Sequence, residues 1–151
     1  MTLKLGLAQM NPILGDRKKN LDQAQELLTQ SGLLIQKISP YYETKALCRP
    51  NETQPDFLNA VFELETDVPP LDLLEVLEKI ERQMGRTEKG NWKPRVMDLD
   101  ILFYGDLVMD SERLKIPHPE ISKREFVLKP LCDLASDLIH PVLEKSIRDL
   151  R

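Results

Sequence analysis

Leu3, Leu5 and Leu7 alternate with Lys4 and Gly6 near the head of the chain, the period-two pattern of a strand with one buried face. A turn is expected at Asn11-Pro12. Gly15-Asp16 then offers an N-cap to a helix whose apolar positions Leu21, Ala24 and Leu28 recur at helical spacing, with Gly32 just past its end. Residues 33–39 read as a second strand, and residues 44–55 as a loop rich in turn formers. Over residues 57–66 the alternation returns, with Leu58, Ala60, Phe62 and Leu64 on one face and Phe57 and Asn59 on the other. Pro69-Pro70 at a first helical turn, followed by Leu73, Leu77, Ile80 and Met84 and closed by Gly85, predicts a second amphipathic helix, with Glu81 bordering its apolar stripe.

Residues 86–94 form a loop with charges on both sides of Trp92, and the segment after it, Arg95-Val96-Met97-Asp98-Leu99-Asp100-Ile101-Leu102, reads as a strand. On it Met97, Leu99, Ile101 and Phe103 take one face and Asp98 and Asp100 the other. A further short strand is expected around residues 106–109. Ser122-Lys123-Arg124-Glu125 resembles a capping box opening a third helix, which would bring His118 and Arg124 close to that helix's N-terminus, and Pro130 would end or kink it. The order strand, helix, strand, strand, helix, strand points to an α+β fold, a ferredoxin-like sandwich with a mainly antiparallel sheet and helices packed on it. No internal repeat interrupts this order.

Composition narrows the picture. With 151 residues, 41% of them hydrophobic, the chain fits one domain over 1–151 with an ordinary core. A net charge of -4 without a clustered basic face argues against a nucleic-acid partner, so any polyanion would be bound locally. No targeting segment is visible and no apolar run approaches the ~20 residues that span a bilayer, so a cytoplasmic protein without a membrane partner is expected. Cys48 and Cys132 stand alone, with no metal-binding spacing, and read as reduced packing residues.

Asp98 and Asp100 carry the sharpest chemical signal. Two carboxylates on one strand face, roughly 6.5–7 Å apart along the backbone, repel each other unless a cation or an arginine lies between them, and Asp is otherwise depleted in strands. Few, hard oxygen ligands suit Mg²⁺, which is completed by water and by substrate phosphates. Phe57 and Asn59 offer an aromatic face and an amide able to donate and accept, which suits a flat heterocycle with a mixed hydrogen-bonding edge. Arg86, Arg95, His118 and Arg124 could converge on phosphates. His118, between Pro117 and Pro119, is stiffened into a preorganised donor, whereas His140 reads as structural. The chain has no phosphate-binding Gly-x-x-x-x-Gly-Lys loop, no protein-kinase signature and no nucleophilic triad, so a phosphotransferase built this way would work by positioning and charge neutralisation.

The stretch Trp92-Lys93-Pro94-Arg95-Val96-Met97-Asp98-Leu99-Asp100-Ile101-Leu102-Phe103-Tyr104-Gly105 resembles the signature of the 6-hydroxymethyl-7,8-dihydropterin pyrophosphokinase family of folate biosynthesis. Gln54-Pro55-Asp56-Phe57-Leu58-Asn59-Ala60, Ile80-Glu81 with Gly85-Arg86, and Pro117-His118-Pro119 followed by Arg124-Glu125-Phe126 are similar to that family in order and spacing. The resemblance implies a transferase, a 2-amino-4-hydroxy-6-hydroxymethyldihydropteridine diphosphokinase, that moves the β,γ-diphosphate of ATP to the pterin hydroxymethyl and releases AMP. It further implies that Asp98 and Asp100 bind two Mg²⁺ ions and that the pterin stacks between Phe57 and Phe126. Asn59 and the Thr44 to Leu47 segment would read the pterin's edge. Arg86, Arg95, His118 and Arg124 would hold phosphates, with Glu81 and Arg113 on the nucleotide side. Residues 44–55 and 86–94 would be lids, and Trp92 would help dry the site. ATP and the pterin would be the small-molecule partners of a monomer.

Two departures mark the chain. Ala8-Gln9-Met10-Asn11-Pro12-Ile13-Leu14-Gly15-Asp16 stands where the family usually has Gly-Ser-Asn-Leu-Gly-Asp, and locally it is similar to the opening of nitrilase-type amidases. Glu88 falls where a second lid arginine is common, and Lys93 where a small residue is common. Two alternatives share the same residues: a noncatalytic module that binds a nucleotide or pterin, and another Mg-dependent phosphoryl or nucleotidyl transferase.

Overall fold

The computed structural model describes residues 2–9, 17–44, 57–84, 98–123 and 125–151. In chain order the elements are β1 (Thr2–Gln9), α1 (Arg17–Gln30), β2 (Leu34–Ile38), β3 (Tyr42–Thr44), β4 (Phe57–Glu65), α2 (Pro70–Gln83), β5 (Asp98–Tyr104), β6 (Met109–Asp110), β7 (Lys115–Ile116), α3 (Glu125–Ala135) and α4 (Ile147–Leu150). The main sheet runs β2-β4-β1-β5, with β3 also paired to β4, and every pairing in it is antiparallel. This is the α+β sandwich that the order of patterns predicts. Among the described residues no helix is long and apolar enough to cross a membrane.

Both faces of the sheet are covered, by different helices. Leu21, Ala24 and Leu28 of α1 and Leu73, Leu77 and Ile80 of α2 pack with Ala60, Phe62, Leu64, Leu99 and Ile101 in one buried cluster. Leu128 and Leu131 of α3 and Ile147 of α4 pack with Val61, Leu102 and Phe103 in a second. Cys132 lies against that second cluster as a packing residue; Cys48 lies outside the described residues.

Strict alternation along β5 does not hold. Ile101 pairs with Leu5 and Phe103 with Lys4, so the register shifts there and Leu102 is the extra residue of a bulge. Phe103, expected beside Leu99 and Ile101, is therefore turned into the second cluster, and a simple period-two reading could not show this. Three further expectations need correction. Residue 44 ends a three-residue strand rather than opening a loop. The strand expected at 106–109 begins only at Met109 and pairs with β7 in a separate hairpin. Ser122 sits in a 3-10 turn over Ile121–Lys123, and α3 starts at Glu125, so the Ser122–Glu125 pair does not form the expected capping box. Pro130 lies inside α3, which continues to Ala135: a missing N–H costs one helical bond, and burial of Leu128 and Leu131 on either side outweighs it.

The end of α1 shows how closely local chemistry matches the fold. Gly32 N–H donates to Thr29 O at 3.1 Å and Leu33 N–H to Leu28 O at 3.1 Å, the paired bonds of a Schellman cap with Gly32 at the left-handed position. Its φ is +88°, and a Cβ there would meet nothing within 4 Å. Substitution is thus opposed by backbone strain alone. Gly32→Ala is expected to destabilise the protein by about 1 kcal/mol, read as a lower urea midpoint at unchanged slope; an unshifted midpoint would show that the cap contributes nothing.

Candidate active site

The register of β1 brings the site together. Ala8 of β1 pairs with Asn59 on one side and with Asp98 on the other, and Tyr42 of β3 pairs in turn with Asn59, giving one row, Tyr42, Asn59, Ala8, Asp98, across four strands. In the next row on that face Gly6 lies between Val61 and Asp100. Directly paired residues share a sheet face, so Asn59, Asp98 and Asp100 belong to one face, two strands apart, with only alanine and glycine between them. At the usual strand spacing the backbones at Asn59 and Asp98 stand about 10 Å apart. The floor between them is low because the sequence puts its smallest residues there.

The walls of that floor are held from several directions. Asn59 is 3% exposed, and its amide oxygen is shielded from solvent. Beyond β2, the Ser39 N–H donates to Val61 O and the Val61 N–H donates to Ser39 Oγ, each at 2.9 Å, which pins β4 next to Asn59. Tyr42 donates to Asp133 of α3, and the Lys129 ammonium sits 4.8 Å from the Tyr42 ring centroid. This tie between β3 and α3 borders the Asn59 end of the row. Neither Ser39 nor Tyr42 stands out in the sequence, since a three-residue strand has no measurable period.

Asp100 is half-buried on β5, and Asp98 begins that strand. His118 is tied to the same strand: its N–H donates to Leu102 O at 3.0 Å, so the bulge carbonyl anchors the histidine segment. The Glu120 N–H donates to His118 Nδ1 at 3.1 Å. A nitrogen that accepts carries no proton, so the neutral ring holds its proton on Nε2 and can donate from there. His118 lies before the 3-10 turn rather than at the start of α3, and its carbonyl accepts the Ile121 N–H at 3.3 Å.

Two residues expected on the nucleotide side have partners within the fold. Glu81 is 5% exposed, on α2, and its Oε2 accepts the Leu99 N–H at 3.2 Å. Arg113 is exposed and lies 3.6 Å from Glu75 and 3.5 Å from Glu78, both on α2. Phe57 and Thr44 pair across β4 and β3, and Phe126 lies in the first turn of α3. Leu47, Arg86, Trp92, Arg95 and Arg124, with the loops over 45–55 and 86–94, Glu88, Lys93 and the 10–16 turn, lie outside the described residues.

The architecture is the ferredoxin-like α+β fold of pyrophosphokinase domains: the chain superposes on Plasmodium falciparum HPPK-DHPS with a TM-score of 0.73 at 19% identity, covering 99% of this chain and 44% of that one. The model of the 7,8-dihydro-6-hydroxymethylpterin-pyrophosphokinase family matches residues 8–136, and the chain belongs to that family. It is 39% identical over 150 residues to the 2-amino-4-hydroxy-6-hydroxymethyldihydropteridine pyrophosphokinase of Aquifex aeolicus, spanning 99% of this chain and 90% of that protein. It is 43% identical over 134 residues to the folic acid synthesis protein fol1 of Pneumocystis carinii, where the match spans 89% of this chain and 18% of the relative's length.

The second histidine has a different part. His140 is 7% exposed, stands edge-on to Phe103 with ring centroids 5.6 Å apart, and accepts the N–H groups of Val142 and Leu143 on Nδ1 at 3.1 and 3.0 Å. Burial lowers its pKa below 6.5. The folded state thus favours the neutral ring, so its contribution to stability is complete above the unfolded value near pH 6.5 and is lost as pH falls through the lower folded value. The urea midpoint should therefore fall on acidification below pH ~6.5, and less steeply in His140→Gln. Identical pH profiles for the two proteins would exclude His140 as the source.

Proposed function

We infer that this chain transfers the β,γ-diphosphate of ATP to the hydroxymethyl group of 6-hydroxymethyl-7,8-dihydropterin in folate biosynthesis, giving AMP and the pterin diphosphate. The observation that carries the reading, beside family membership, is the row that sets Asn59 and the Asp98–Asp100 pair on one sheet face across Ala8 and Gly6. The gap is about the span of a fused two-ring heterocycle with its hydroxymethyl arm. Asn59 reads the pterin's hydrogen-bonding edge together with the Thr44 to Leu47 segment, and Phe57 and Phe126 supply the stacking faces, with Trp92 closing the site.

The reaction joins the hydroxymethyl oxygen to the β-phosphorus and breaks the bond from that phosphorus to the oxygen kept by AMP, while the hydroxyl proton passes to solvent. Asp98 and Asp100 hold two Mg²⁺ ions, whose donor set of a few hard carboxylate oxygens completed by phosphate fits that cation. When bound, Mg²⁺ neutralises the triphosphate and leaves the β-phosphorus open to in-line attack. Arg86, Arg95 and Arg124 clamp the phosphates, and His118 donates from Nε2. Residues 1–151 act as a single domain and a monomer in the cytoplasm, on small molecules and without a nucleic-acid or membrane partner. The single domain is supported by β4 and β5, which contribute to both buried clusters, and the lack of a nucleic-acid partner by the net charge of -4.

Incubation with ATP, MgCl₂ and the pterin, followed by separation of the adenine nucleotides, tests the reading: AMP must appear only when pterin and metal are both present. ADP would mean a single phosphoryl transfer, and binding of both substrates without product would mean a noncatalytic module. Asp98→Asn and Asp100→Asn are expected to reduce AMP formation to background while leaving the thermal transition in place; comparable turnover in either variant would remove the pair from the chemistry. Arg95→Ala should lose ~2–4 kcal/mol of transition-state stabilisation in kcat/KM, and an unchanged value would take Arg95 out of the clamp.

A further inference from the structure

We propose that Glu81 is a positioning residue for the candidate active site, holding the peptide between Asp98 and Leu99 so that the Asp98–Asp100 pair is set for an Mg-nucleotide. The proposal deepens the pyrophosphokinase reading and rests on it for its activity readout. Glutamates are almost never as buried as this one, at 5% exposed, unless their oxygens are partnered. Its Oε2 accepts the Leu99 N–H at 3.2 Å. An acid in the last turn of α2, which ends at Gln83, also opposes the helix dipole, so neither the helix nor the apolar cluster gains from placing one there.

The helix that carries Glu81 packs on the sheet from the side of the first buried cluster. Leu77 and Ile80 of α2 pack with Leu99 and Ile101, the face opposite to Asp98 and Asp100. Glu81 therefore meets β5 through its backbone, at the first of the two peptides that lie between the acids. A peptide group is planar, so holding the Asp98–Leu99 plane constrains ψ of Asp98 and φ of Leu99 together, and with them the relative direction of the acids on either side. Among the described residues β5 is the terminal strand of the sheet, with β1 as its one strand neighbour. A helix side chain thus restrains it where an interior strand would have a second neighbour.

Glu81→Leu removes the acceptor, Glu81→Gln keeps one at the same reach, and Glu81→Asp withdraws it by one methylene. Three measurements are made on each folded protein: Mg²⁺-dependent binding of a nonhydrolysable ATP analogue, hydrogen exchange of the Leu99 amide, and steady-state AMP formation. For Glu81→Leu the Mg²⁺ needed for half-maximal nucleotide binding should rise about 10- to 100-fold, the usual loss when a group supporting a metal ligand is removed. Its kcat should fall with little change in the pterin KM, and Leu99 exchange should accelerate; Glu81→Gln should stay close to wild type in all three. A Glu81→Leu protein that melts lower, yet keeps wild-type Mg²⁺ dependence and kcat well below its transition, would overturn the proposal. If Glu81→Leu does not fold, Glu81→Asp decides by the same criteria, and wild-type Mg²⁺ dependence there also overturns it. Absence of AMP from the wild-type protein would instead refute the pyrophosphokinase reading, leaving Glu81 to be judged on nucleotide binding and amide exchange.

Discussion

The pairing register of β1 is the constraint on which the rest depends. It is antiparallel to β4 on one side and to β5 on the other, so one strand sets the relative height of Asn59 and of both aspartates. Because side chains alternate with period two, a slip of a single residue on either side would carry those polar groups into the face packed by α1 and α2. The apolar rows prevent this. Leu5 pairs with both Phe62 and Ile101, and Phe62, Ile101 and Leu99 are buried beneath α1 and α2. Burial of each such side chain is worth about 1.5–3 kcal/mol, so a slipped register would expose several at once.

The bulge at Leu102 converts that rigid register into a site with a corner. Without it Phe103 would follow Ile101 into the first cluster; with it Phe103 joins Val61 and Leu128 in the second. The same irregularity leaves the Leu102 carbonyl to accept the His118 N–H. One extra residue thus binds α3 and α4 to the sheet through Phe103 and fastens the histidine segment beside the acidic strand. Bulges beside active sites commonly redirect side chains in this way.

Periodicity made the frame legible. Leu21, Ala24 and Leu28, and Leu73, Leu77 and Ile80, are buried as their helical spacing predicts, and Gly32 closes α1 as a glycine past a helix end should. Asp98 and Asp100 were visible as candidates because acids in an apolar strand conflict with folding alone. Other features left no periodic trace. The three-residue β3 is too short to show alternation, and the 3-10 turn before α3 lies under a sequence that also spells a capping box. The bulge depends on pairing with β1 rather than on β5 itself. Glu81 was read from its place on the border of a stripe, whereas its burial follows from how closely α2 approaches β5, a tertiary fact.

Three carboxylates, Glu81, Asp98 and Asp100, meet around two successive peptides of one strand. Nothing in hydrophobic packing favours that concentration of charge, and like charges on one strand face repel. Part of that cost is offset at Glu81, whose Oε2 accepts the Leu99 N–H. On the pyrophosphokinase reading a divalent cation arriving with its nucleotide would also relieve the repulsion between Asp98 and Asp100, so the folded state and the Mg-nucleotide complex would be thermodynamically linked. Part of the binding free energy would then come from relieving a repulsion between two acids that the β1 register holds on one face.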